Sequence, residues 1–92
     1  GSMINLQLVY VAHVCMLSGV VEERMSLQAA TLRQVIDELD VRYEGFCEMF
    51  VDAVTRQLRW NAAIYYSPPG APPVSVVNLD QPVQDEAVIT FW

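Results

Sequence analysis

The chain closes on Ala87-Val88-Ile89-Thr90-Phe91-Trp92, and the reading of that run decides the fold. A strand with one wet face alternates apolar and polar side chains. A strand buried on both faces is nearly all apolar, which is the habit of parallel strands at a sheet centre. A parallel partner must be joined by a long crossover. The matching segment stands at the opposite end of the chain. There Ile4, Leu6, Leu8 and Tyr10 alternate with Asn5, Gln7 and Val9 at the period of two expected of a half-buried strand.

Between these ends lies one strongly signalled helix. Thr31 can cap it, and Gln34 three residues on completes a capping box. Leu32, Val35, Ile36, Leu39 and Tyr43 recur at helical spacing, while Arg33, Asp37, Glu38 and Asp40 lie off that stripe. The pattern predicts a helix over Leu32–Tyr43, closed by Gly45. Before it, Val11–Leu17 loses strand alternation and reads as one or two helical turns ended by Ser18-Gly19. Val20–Leu27 reads as a second strand, and the charges Glu22-Glu23-Arg24 suit a sheet edge.

After the helix the signals weaken. Phe46, Met49, Phe50 and Val54 fit either a second short helix or an irregular apolar segment. Arg59–Tyr66, rich in aromatic and branched residues, predicts a strand. Pro68, Pro69, Pro72 and Pro73 cannot join a central strand, because each lacks a donor. They read as a rigid turn or as a ligand for a proline-binding groove. Val74–Val77 predicts a short strand paired with Arg59–Tyr66, and Asn78–Pro82 a turn. This order predicts an α+β fold of the β-grasp type: a mixed sheet of four to five strands, terminal strands parallel and adjacent, one main helix packed across it. A ferredoxin-like βαββαβ fold competes, and only Phe46–Leu58 could supply its second helix.

Ninety-two residues, 53% hydrophobic and 17% charged, suit one domain over residues 3–92 and exclude disorder. Gly1-Ser2 ahead of Met3 reads as an expression-tag remnant. No apolar run reaches the ~18 residues of a membrane span. With no basic-led signal peptide, a cytoplasmic address is expected. The formal charge is −6, with five arginines and no lysine. Such a chain repels a phosphate backbone, so a basic protein surface is the better partner and nucleic acid a poor one.

The chemistry of catalysis is sparse. Cys15 and Cys47 are far apart, in apolar surroundings, and read as two reduced, buried thiols, since no C-x-x-C is present. Two cysteines cannot hold an iron–sulfur cluster, which takes four. His13 is the only histidine and sits in an apolar stretch. Asp37, Glu38 and Asp40 line a solvated helix face, and no glycine-rich phosphate loop exists. No catalytic, metal or cofactor residue is therefore expected.

Three motifs carry a family resemblance. They are Leu6-Gln7-Leu8-Val9-Tyr10 running through to Leu17-Ser18-Gly19, the helix Thr31-Leu32-Arg33-Gln34-Val35-Ile36-Asp37-Glu38-Leu39, and the closing run Leu79-Asp80-Gln81-Pro82-Val83-Gln84-Asp85-Glu86-Ala87-Val88-Ile89. In order and spacing the chain resembles the MoaD/ThiS-type ubiquitin-like sulfur carriers: the small subunit of molybdopterin synthase, the thiamine-pathway carrier and their relatives. The resemblance implies a β-grasp fold, a protein partner with a groove that accepts a tail, and a terminal Gly-Gly whose carboxylate becomes a thiocarboxylate. This chain departs from the pattern by stopping at Trp92 without Gly-Gly. Two functions follow: a non-catalytic docking module without that tail, or a sulfur carrier or protein modifier whose tail is missing from this chain. Trp60, Ile64 and Tyr66 share one strand parity, Tyr65 and Ala63 the other, so some of these aromatics must face away from the helix unless Phe46–Phe50 covers them. Tyr65 and Trp92 are the candidate partner-binding residues.

Overall fold

The computed structural model describes residues 3–28 and 31–92, so the Gly1-Ser2 pair lies outside the described residues. Strand β1 (Ile4–Tyr10) turns Leu6, Leu8 and Tyr10 into the core, as its alternation requires. The chain reverses at Ala12, held at φ 56°, ψ −123°, into the short helix α1 (His13–Ser18). Gly19 closes α1 at φ 79°, donating its N–H to the carbonyl of Cys15; glycine takes this left-handed cap without a Cβ clash. Strand β2 (Glu22–Leu27) returns antiparallel to β1, from Ile4 opposite Leu27 to Val9 opposite Glu22. It forms one edge of the sheet, as its charges foretold.

Helix α2 (Leu32–Arg42) starts with its free N–H groups answered from two sides. The Thr31 hydroxyl accepts the Gln34 N–H and the Gln34 side chain accepts the Thr31 N–H, the expected capping box. The loop at 78–82 adds two acceptors: Gln81 O takes the Leu32 N–H at 3.0 Å and Leu79 O takes the Arg33 N–H at 2.7 Å. Leu32, Val35, Ile36 and Leu39 are fully buried. Gly45 does not close α2. Tyr43 does, in extended conformation, and Gly45 at φ 92° instead opens α3 (Phe46–Phe50). Asp40 has a structural duty here, its carboxylate accepting the Cys47 N–H at 2.9 Å.

Helix α3 is short because Val51 pairs with Leu58 as an isolated bridge. The carboxylate of Asp52 then takes the N–H groups of Val54 and Thr55 and turns the chain away. Val54 is 89% exposed, so the apolar stripe ends at Phe50. The Phe46 and Phe50 rings point inward, 5.1 and 5.3 Å from Phe91 between centroids.

The strand expected over Arg59–Tyr66 is shorter and shifted: β3 is Ile64–Ser67. Arg59 donates to Phe50 O, and Ala62 donates back to Arg59 O, so residues 59–62 form a turn. Trp60 therefore shares no strand parity with Ile64, and it stands 95% exposed. Strand β4 (Val74–Ser75) pairs antiparallel with β3. The proline run is the turn between them: Pro68 O accepts the Ala71 N–H at 3.1 Å, with Pro69 second and Gly70 at φ 75° third, the type II pattern. That bend breaks any continuous polyproline helix, which favours the turn over the groove-ligand reading.

Strand β5 (Val88–Phe91) lies parallel to β1, with Leu8 opposite Ile89, and antiparallel to β3, with Ile64 opposite Phe91. The sheet order is β2-β1-β5-β3-β4. The terminal strands are adjacent at its centre, as expected of a β-grasp. The ferredoxin-like alternative fails, since α3 has only five residues. Cys15 and Cys47 are free but half-buried at the margin of the core, not fully buried as expected. Burial pushes the Cys47 thiol pKa up, with Asp37 adding to it.

Candidate functional site

The two faces of the sheet are built from the same strands. Toward α2 point Leu6, Leu8, Tyr10, Ile64, Ile89 and Phe91, all buried. Away from it point Gln7, Val9, Thr90 and Tyr65, placed by register: Val9 opposite Thr90 across β1 and β5, and Thr90 opposite Tyr65 across β5 and β3. Trp92 continues the parity of Thr90, and its N–H still pairs with Ala63 O at 2.9 Å. Tyr65 lies on the outer face, and Trp92, one residue past β5, follows the parity of Thr90 where the strand has ended. Tyr65 is 37% exposed and Trp92 55% exposed. Phe46 and Phe50 do not cover them, because both rings are spent in the core.

Toward β2 the polar groups of that face pair with one another. Arg24 grips both carboxylate oxygens of Glu86 at 2.9 Å. Gln7 donates to Glu22 at 3.0 Å, and Ser26 donates to the Asn5 side chain. The β2 side of the outer face is therefore polar and paired, whereas the β3–β5 side presents aromatic surface. Trp60, more exposed than either candidate, was expected as a strand residue of the same parity as Ile64; Asn61 beside it was the available turn signal.

A second polar cluster ties the layers together. Glu23, on the inner parity of β2, accepts the Tyr10 hydroxyl at 2.8 Å, the Tyr43 hydroxyl at 2.5 Å and an Arg42 N–H at 3.2 Å. Burial, then the hydrogen bond to Glu23, raises both tyrosine pKa values above their ordinary range. On the opposite side Arg33 binds Asp80 at 2.7 Å, which lowers the Asp80 pKa and raises that of Arg33. These contacts secure α2 to β2 and to the loop at 78–82.

His13 is exposed on α1, and Asp37 and Glu38 are exposed on α2. Among the described residues no three His, Cys, Asp or Glu side chains converge as metal ligands. No described helix is long and apolar enough to cross a membrane.

No family model and no curated protein matches the chain. Solved structures do. The HVO 2177 protein of Haloferax volcanii superposes with a TM-score of 0.76 at 13% identity, over 97% of this chain and 81% of that one. The putative molybdopterin converting factor, subunit 1, of Pyrococcus furiosus superposes with a TM-score of 0.68 at 25% identity, over 96% and 94%. The small archaeal modifier protein SAMP1 of Haloferax volcanii gives 0.69 at 12% identity, over 96% and 92%. The chain has the ubiquitin-like β-grasp fold and resembles MoaD-like proteins and the small archaeal modifiers.

Proposed function

We propose that this chain is a non-catalytic, ubiquitin-like interaction module, one domain over residues 3–92, that docks on a cytoplasmic protein through the outer sheet face around Tyr65 and Trp92. The observation that carries this reading is the exposure of Tyr65 and Trp92 beside a β2 side whose polar groups pair with one another. Exposed tyrosine and tryptophan are the side chains that most often anchor interfaces. The partner is a protein with a basic rim or a groove of the tail-accepting kind. A formal charge of −6 without lysine suits that rim and disfavours nucleic acid. Capture of partners from the native host by the wild-type chain, and their loss with a Tyr65→Ala/Trp92→Ala double variant, tests the surface. Retention by the double variant would reject it.

The likeness to the Pyrococcus protein and to SAMP1 favours a second reading, a sulfur carrier or protein modifier. The 92 residues contain no Gly-Gly. Incubation with ATP and an activating enzyme of the sulfur-carrier type, followed by intact mass measurement, separates the two. An unchanged mass supports docking alone; an adenylate or a gain of sulfur supports the carrier. Gly-Gly codons after Trp92 in the gene would also favour the carrier.

A further inference from the structure

Four segments meet at the end of the sheet where β5 finishes, and they enclose an open cleft of about 400 Å³. Its apolar lining is Val14 of α1, Met49 of α3, Ala62 of the turn before β3, and Trp92. That volume is in the range of small-molecule sites. Its polar groups are His13, Glu48, Arg59 and Asn61.

Arg59 is the unusual member. Its main-chain N–H is tied to Phe50 O at 2.8 Å and its Nε–H to Glu48 O at 2.7 Å. The side chain is half-buried and fixed along one edge. Its Nη groups hydrogen-bond to none of the described residues, and neither do the side chains of His13 and Asn61. Asp52 feels the charge of Arg59, but its carboxylate is engaged by Val54 and Thr55. A guanidinium already held in place loses little freedom on binding, and its outer fork matches the two oxygens of a carboxylate. The exposed Glu48 carboxylate on the rim disfavours a doubly charged ligand such as a phosphate.

We propose that this cleft binds an aromatic monocarboxylate, the acid held by Arg59 and the ring laid against Trp92 over Met49 and Ala62. The same chemistry is offered by a free arylalkanoic acid and by the C-terminal phenylalanine of a peptide. The assignment shares Trp92 with the docking reading but rests on Arg59, which that reading does not use, and Tyr65 takes no part in the cleft.

The test is an NMR titration of the 92-residue chain with 3-phenylpropionate and with its neutral amide, read at the Trp92 indole N–H, the Arg59 Nε–H and the Ala62 amide. A second arm uses Gly-Phe with a free and with an amidated terminus. The acids should saturate these signals at least about tenfold more tightly than the amides, the size of a charged hydrogen bond. Arg59→Gln should lose that margin. Glu48→Gln should tighten binding about two- to fivefold by removing an exposed like charge. Saturation by 3-phenylpropionate alone assigns the cleft to a small molecule, and saturation by Gly-Phe assigns it to a chain terminus. Equal binding of acids and amides, saturation by neither acid, or shifts confined to other residues would overturn the proposal. The comparison of acid with amide uses the wild-type chain, so it stands even where Arg59→Gln fails to fold.

Discussion

The inner and outer faces of the sheet share backbone, strand order and register, yet they answer to different constraints. On the inner face Leu8, Ile89 and Phe91 lie fully buried beneath α2 and α3, and every neighbour has a say in their size. On the outer face Val9, Thr90 and Tyr65 occupy the alternate positions of the same strands, and no helix among the described residues covers them. Close packing dictates the first set, because a void or a clash there costs stability. The second set is under a weaker demand, limited to strand preference and cross-strand contact. On the docking reading proposed above, fold and partner contact fall on opposite sides of one layer.

The sharpest way to break the comparison is to remove volume from the inner side. Leu39→Ala deletes a fully buried side chain of α2 and should cost about 2–5 kcal/mol. In a domain of this size each kcal/mol lowers the melting temperature by about 4–8 °C. An unchanged melting temperature would mean that α2 does not seal the inner face.

Alkaline pH probes the same side through a polar contact. Tyr10 is buried and donates to Glu23, so its folded pKa lies above the unfolded value of 10.0. The folded state then holds a proton that the unfolded state gives up. This contribution is whole below about pH 10 and is lost as pH rises above it, by at most about 1.4 kcal/mol per pH unit. Tyr10→Phe should flatten that decline in urea titrations between pH 9 and 11. An equally steep decline in the variant would place the sensitive group elsewhere.

A smaller effect is expected at the start of α2. Thr31→Ala removes one of the acceptors at that terminus and should cost about 1 kcal/mol. The carbonyls of Gln81 and Leu79 still hold Leu32 and Arg33, so the loss should not reach the upper end of the range for caps. Urea midpoints with an unchanged slope would measure it.

Legibility in the sequence followed the same division. The capping box, the α2 stripe and the alternation of β1 are local patterns, and each can be read within a few residues of itself. The parallel pairing of β1 with β5 was anticipated from the apolar run Ala87–Trp92, but the reason differs: β5 is buried on one face only, at Ile89 and Phe91, while Val88 and Thr90 are half-buried on the other. Residues 59–62 were misread, since aromatic and branched side chains suggest a strand while the deciding bonds, from Arg59 to Phe50 and from Ala62 to Arg59, depend on where α3 stops. Gly45 was placed at the end of α2 because a glycine after a helix usually caps it, whereas here it starts the next one. The grip of Glu23 on Tyr10, Tyr43 and Arg42 joins three elements and leaves no mark in any one of them. The cleft at Arg59 was missed for the same reason. The outward face of Tyr65 could be read from parity, but the exposure of Trp60 could not, because parity has no meaning in a turn.

The smallest effect on stability is expected where the comparison is most informative. Tyr65→Ala removes an aromatic ring from the outer face, where Thr90 and Ser75 are its directly paired neighbours and no helix covers it. Its hydroxyl bonds to none of the described residues, so no buried partner is stranded. The main cost is a lower strand preference and the loss of cross-strand contact, each limited to about 1 kcal/mol or less. The same truncation at an interface anchor commonly costs 2 kcal/mol or more of binding, about thirtyfold in affinity. A variant that melts close to wild type yet loses its captured partner would show that the outer face is kept for docking. A variant that unfolds like Leu39→Ala while holding the partner would reverse the assignment, making Tyr65 a residue of the fold and moving the contact surface elsewhere. Added salt separates the two contributions to docking: screening shortens the reach of the acidic surface to about 8 Å at physiological ionic strength, while the aromatic contact persists.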